Sequence, residues 1–95
     1  MSLEFEWEPK KAEANLAKHG VSFEEAITVF ADPLARIFDD AEHSHTERRE
    51  IIIGHSVQQR LILVSFAGAD ERVRLLSARQ ATRTERKDYE ENIGS

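Results

Sequence analysis

The stretch that decides the fold is residues 49–78, REIIIGHSVQQRLILVSFAGADERVRLLSA. It carries three strand-like runs, Arg49–His55, Leu61–Phe66 and Arg72–Ala78, rich in Ile, Leu and Val. Only the short polar connections Ser56–Arg60 and Gly68–Glu71 separate them. Connections of that length join antiparallel neighbours, because a parallel crossover needs about a dozen residues or more. Leu61-Ile62-Leu63-Val64 is apolar on both faces, which predicts a strand in the interior of a sheet.

Working outward toward the N-terminus, Leu34 to Phe38 reads as a further strand, followed by the polar stretch from Asp39 to Thr46. Before it, Ser22 with Glu25 three residues on forms a capping box, and Phe23, Ala26, Ile27 and Phe30 mark one helical face. Asp32-Pro33 stops that helix. An earlier helix is predicted from Pro9 to Lys18 or His19, ended by Gly20 after a Lys-His pair. Leu3, Phe5 and Trp7 alternate with acidic residues and predict a first, half-buried strand. On the C-terminal side, Thr82 and Glu85 form a second capping box. It opens a helix to about Glu91 or Asn92, with Tyr89 and Ile93 available for packing. The order is β-α-α-β-β-β-β-α, an α+β fold with a twisted, mostly antiparallel sheet packed by helices.

The chain has 95 residues and 10.9 kDa, the size of a single domain spanning residues 1–95. A fold this small buries a modest core, so an oligomer or an obligate partner is expected. The absence of cysteine excludes disulfides and thiolate metal sites. Runs such as Ile51–Ile53 are far too short to cross a bilayer, and a cytoplasmic location is expected.

The formal net charge is −5, which by itself argues against nucleic acid. Its distribution reverses that reading. Residues 1–47 hold four basic and eleven acidic side chains, −7, whereas residues 48–95 hold nine basic and seven acidic, +2. Residues 72–87 contain Arg72, Arg74, Arg79, Arg83, Arg86 and Lys87 against Glu85 alone, +5. With Thr82 as the N-cap, Arg83 and Arg86 sit in the first turn, where cations oppose the helix dipole at about 0.3 kcal/mol or more each. Outward-pointing amides there, with Arg79 and Arg83 nearby, have the composition of a phosphate site. The competing reading is that these arginines pair with Asp88, Glu90 or other surface acids.

Phe5-Glu6-Trp7-Glu8-Pro9, Asn15 with Lys18-His19-Gly20-Val21 and Phe23, Ala26, Asp32-Pro33, Arg48, Ile53-Gly54 with Ser56, and Leu76-Ser77-Ala78-Arg79 with Ala81, Glu85-Arg86 and Tyr89-Glu90 together resemble the BrnT toxins. The resemblance runs from Phe5 to Glu90, with Glu8 where the family has Asp, a better N-cap. It implies a RelE-like fold and a ribonuclease that inhibits translation. It also implies a cognate BrnA-like antitoxin, which neutralises the toxin and contacts operator DNA through its own domain.

Metal-free RNA cleavage needs a base for the 2′-proton, cations for the phosphorane, and an acid for the leaving oxygen. Arg79 and Arg83 are the first candidates for phosphate and transition-state stabilisation, with Arg60 third and Arg86 in support. His19 is the acid–base candidate, although the Lys18-His19 pair is fully explained as a helix end. His55 is a weaker one. Lys18 could contact phosphate, and Trp7 could stack on a base, although its alternation with Phe5 favours the core. His43-Ser44-His45 beside Asp39, Asp40 and Glu42 has the residue types of a divalent-metal site. It lacks spaced ligands elsewhere and reads as a polar connection, so no metal and no cofactor are expected. An alternative to the enzyme is a non-catalytic module that binds protein in an antitoxin–operator complex. An adjacent reading frame for a small basic protein would favour the toxin–antitoxin arrangement, and growth arrest on inducing this chain alone would separate the two.

Overall fold

The computed structural model describes residues 2–43 and 46–93, the side chain of Ile93 excepted. The expected packing of Ile93 therefore lies outside the described residues, as does His45. The elements are β1 (Glu4–Glu6), α1 (Pro9–His19), α2 (Phe23–Thr28), β2 (Arg36–Asp39), β3 (Arg49–His55), β4 (Leu61–Ala67), β5 (Arg72–Gln80) and α3 (Arg83–Ile93). Two 3₁₀ turns, Val29–Ala31 and Ala41–His43, follow α2 and β2. The order is β-α-α-β-β-β-β-α and the class is α+β.

One five-stranded sheet runs β1-β5-β4-β3-β2. Strands β2 to β5 form an antiparallel meander, and the apolar β4 lies at its centre. Strand β1 pairs parallel to β5, Glu4 opposite Arg72 and Glu6 opposite Arg74. The sequence reading left that partner unassigned.

Helix boundaries follow local chemistry. Gly20 adopts a left-handed conformation (φ 69°) and its N–H returns to the Leu16 carbonyl at 2.9 Å, closing α1. Glu8 makes no side-chain cap, as its replacement of the better-capping Asp anticipates. The second helix is shorter than expected. Pro33 keeps Asp32 out of helical geometry, so the chain tightens to 3₁₀ over Val29–Ala31 and Asp32 N–H bonds the Val29 carbonyl at 3.1 Å. Asp32 then builds a turn by accepting from Leu34 N at 2.9 Å, which delays β2 to Arg36.

The sheet's two faces are covered unequally. On one, α1 and α2 close the main core, with Val21, Phe23, Ala26 and Val29 against Ile52, Ile62, Val64, Phe66, Val73, Leu75 and Ala78. Phe30 sits edge-on between Phe5 and Phe66, with ring centroids 5.1 Å from each. Gly54 lets the turn before β2 approach β3, since a Cβ there would lie 2.8 Å from Ala35 Cβ. On the other face, α3 lays Tyr89 over Ile53, Leu61 and Leu63 at one end of the strands only. The far end of that face stays open.

A bulge decides what the open end presents. Ser65 pairs with Ser77 but Phe66 pairs with Leu75, so Leu76 is an extra residue in β5. Val73 and Leu75 point into the main core, and continued alternation would send Ser77 and Arg79 after them. The extra residue reverses the phase. Ala78 enters the core instead, while Ser77 and Arg79 emerge on the open face.

Candidate RNA-cleavage site

The open end of the sheet is a depression of about 290 Å³ lined by Asp40, His43, Arg49, Ile51, Leu63, Ser65, Ser77 and Arg79. Its floor is one cross-strand row, Ile51–Ser65–Ser77, beside the pair Leu63–Arg79. Two arginines from different strands therefore reach one concave surface. His43 lies across it, its Nδ1 3.0 Å from Asp40 Oδ2 and 3.1 Å from Oδ1.

Arg79 is held by α3. Its two terminal nitrogens donate to the two carboxylate oxygens of Glu85 at 2.8 and 2.9 Å, a fork-to-fork pair. Glu85 also completes the capping box, accepting from Thr82 N at 2.8 Å while Thr82 Oγ1 accepts from Glu85 N at 3.1 Å. The Arg79 bond is the main cause that lowers the Glu85 carboxyl to about 2, against the opposing effect of burial. The same pair raises Arg79. The expected meeting of Arg79 with a helix N-terminus is thus present, and the anion that fills it is the protein's own carboxylate.

The remaining candidates are dispersed. Arg83 is exposed on the first turn of α3, and Arg86 lies 4.0 Å from Glu90 one turn on. Lys18 and His19 line a second depression of about 250 Å³ between α1 and β5, with Lys11, Asn15, Leu76 and Ser77. Ser77 belongs to both depressions, so they adjoin across β5. Trp7 is partly buried and packs edge-on against Phe23, with centroids 5.8 Å apart.

Arg60 lies against α2, on the helix-covered face. It donates to the buried Glu25 through Nε at 2.9 Å and again through Nη2, and it reaches the Gly20 carbonyl at 3.1 Å. Ser56 Oγ donates to the same carboxylate at 2.7 Å. These bonds, Arg60's first, lower Glu25 despite burial. His55 has its ring edge-on to Tyr89 at 5.7 Å, and its backbone N–H donates to Asp32 Oδ2 at 2.7 Å.

Much of the basic segment is matched by acids from elsewhere. Arg72 lies 3.8 Å from Glu4 and 3.7 Å from Glu6, and Arg74 pairs with Glu47. Arg48 pairs with Asp39 at 2.7 Å. Such exposed pairs are screened by solvent and salt and add little to stability. Among the described residues, no group of three or more His, Asp or Glu is arranged to share a metal ion.

Sequence reasoning missed Arg49, whose period-two spacing with Ile51 and Ile53 already put it on this face. It also gave no role to Asn15, which carries part of the family resemblance and is buried in α1. The Asn15 side chain bonds β5 as a strand would, Nδ2 donating to Ala78 O at 2.8 Å and Oδ1 accepting from Ala78 N at 3.0 Å. A third bond runs from Nδ2 to Val21 O at 2.9 Å.

Residues 7–85 match the family model described as "Ribonuclease toxin, BrnT, of type II toxin-antitoxin system". The chain belongs to the BrnT family. A solved structure, the Brucella abortus ribonuclease toxin BrnT, superimposes with a TM-score of 0.65 at 22% identity, over 86% of this chain and all of that one. At that identity the likeness establishes the shared BrnT fold alone. No match is found among curated proteins. No helix among the described residues is long and apolar enough to cross a membrane.

Proposed function

We propose that this BrnT-family chain is a metal-independent endoribonuclease that inhibits translation in the cytoplasm and is silenced by a BrnA-type antitoxin. In this reading the antitoxin, not this chain, contacts operator DNA. The observation that carries it is Arg79 on the open sheet face, its guanidinium already presented in the geometry that grips an anion, with Arg49 lining the same depression. A phosphodiester replaces the Glu85 carboxylate on that fork, and the guanidinium then neutralises charge as the phosphorane forms. Arg83 and Arg86 on α3 hold flanking phosphates. Lys18 and His19 meet the strand where the second depression adjoins at Ser77. Arg60 serves the fold through Glu25, and Trp7 serves it through Phe23.

The test is incubation of purified protein with RNA in excess chelator, beside Arg79→Ala. The wild type should cleave, and the variant should lose about 10²–10³-fold in rate, the range for removing one preorganised donor to a developing oxyanion. Arg79→Ala should also relieve growth arrest while still binding the antitoxin. Full activity in the variant sinks the site. Intact RNA with the wild type, alongside antitoxin binding, favours the binding-module reading, to which the internal Glu85–Arg79 pair also lends support.

A further inference from the structure

We propose that His43 is the general base of the cleavage step and that Asp40 is its positioning residue, an assignment that rests on the ribonuclease reading above. His43 follows Asp40 by three residues, in the 3₁₀ turn between β2 and β3. The turn is tied down twice: Asp40 N–H donates to the Arg49 carbonyl at 2.9 Å, and His43 N–H donates to the Asp40 carbonyl at 3.2 Å. The Asp40 side chain is 15% exposed and that of His43 is 61% exposed, so a shielded carboxylate steers an accessible ring. With its proton on Nδ1, the ring donates to Asp40, and this tautomer leaves a lone pair on Nε2. A carboxylate orienting an imidazole in this way is a recurrent arrangement for a base.

Position selects His43 over the other histidines described. It lines the same depression as Arg79 and Arg49, the place the ribonuclease reading gives to the scissile phosphate. His19 ends α1 beside Gly20, and His55 is stacked edge-on to Tyr89 beside α3. Among the described residues, the charged groups that line the depression with His43 are Asp40 on its own turn, Arg49 from β3 and Arg79 from β5. The two cations hold the phosphate, and the carboxylate stabilises the imidazolium that forms.

The step balances as follows in atoms and charge. Nε2 takes the 2′-hydroxyl proton and the 2′-oxygen forms a bond to phosphorus. The bond from phosphorus to the 5′-oxygen breaks, and that oxygen takes a proton from water. The hydroxide produced removes the proton from the imidazolium. The products are a 2′,3′-cyclic phosphate and a 5′-hydroxyl end.

The experiment uses the full chain and a short RNA oligonucleotide cut at one position, following rate and product ends. His43→Ala should fall by about 10²–10⁴-fold, the usual contribution of a positioned base, and recover in part with added imidazole. Asp40→Asn should lower kcat and leave KM unchanged, because it misdirects the base without touching the phosphate. Wild-type cleavage with an equally active His43→Ala overturns the base and leaves the ribonuclease reading standing. Loss without imidazole rescue also overturns it, since a binding or folding role would look that way. A wild type that leaves the RNA intact overturns the ribonuclease reading itself.

Discussion

Replacing Arg60 with alanine takes two charge-assisted bonds from Glu25, whose carboxylate is 2% exposed and is then left with the Ser56 hydroxyl alone. It also strips the Gly20 carbonyl of a donor. Leaving one member of a buried ion pair behind costs about 3–5 kcal/mol. Arg60 itself is 29% exposed, so water can enter where its guanidinium stood, which sets the expectation near the lower bound, about 3 kcal/mol. For a chain of this size, each kcal/mol shifts Tm by about 4–8 °C, so the variant should melt about 12–24 °C lower. The deficit should depend on pH in a defined direction. In the wild type Arg60 lowers the Glu25 carboxyl, so the pair's stabilisation is present above the ordinary carboxylate range and fades as pH falls through the depressed value. Without Arg60, burial pushes the same carboxyl upward, so acidification neutralises the uncompensated charge and the gap to wild type narrows. Urea denaturation at neutral pH and at about pH 4 measures both parts, and Glu25→Gln combined with Arg60→Ala should recover much of the loss. RNA cleavage by the folded fraction of Arg60→Ala should be unchanged. A single variant within about 0.5 kcal/mol of wild type at neutral pH would refute the reasoning, because the pair would then be behaving as a surface contact.

Glu85→Gln keeps a capping acceptor but loses the charge opposite Arg79. Glu85 is about a third exposed, so the full shift to about 2 overstates its contribution, and a loss of about 1 kcal/mol is expected. Wild-type stability from this pair is present above the usual carboxylate range and decays as pH falls toward about 2, and that acid-dependent component should vanish in the variant when stability is followed against pH. RNA binding by filter retention should tighten, since Arg79 no longer has a competing anion. Asn15→Asp keeps the acceptor for Ala78 N but turns the donor toward Val21 O and Ala78 O into a second oxygen. A loss of about 3 kcal/mol is expected from thermal denaturation, with faster amide exchange at Ala78.

The two capping boxes show what was legible in the sequence and what was not. Ser22-x-x-Glu25 and Thr82-x-x-Glu85 are the same local pattern, and both start helices where expected. Only Glu85 returns to its own cap. Glu25 turns instead to Arg60, thirty-five positions away, and no local rule contains that partner. The meander was readable because hydrophobic alternation and short connections are local, whereas the parallel seat of β1 depends on a strand almost seventy residues downstream. Charge counting found the basic segment but not its neutralisation by Glu4, Glu6 and Glu47, which arrive from other parts of the chain. Arg79 was readable as a cation at a helix start. His43 and Asp40 read as a polar connection, because their meaning comes from the depression that β3, β4 and β5 bring beneath them.

Side-chain direction along a strand is a parity, and β5 changes parity once, at Leu76. The adjacent pair Leu75-Leu76 is the written trace of that change, a doublet where strict alternation would put a polar residue. One strand thereby serves two masters, odd positions feeding the core before the doublet and odd positions facing solvent after it. The doublet therefore leaves the pairing on either side of it untouched. A substitution at 76 leaves Arg79 on the open side, and so would deletion of that single residue, because plain alternation from Leu75 then sends Ser77 and Arg79 outward and Ala78 inward.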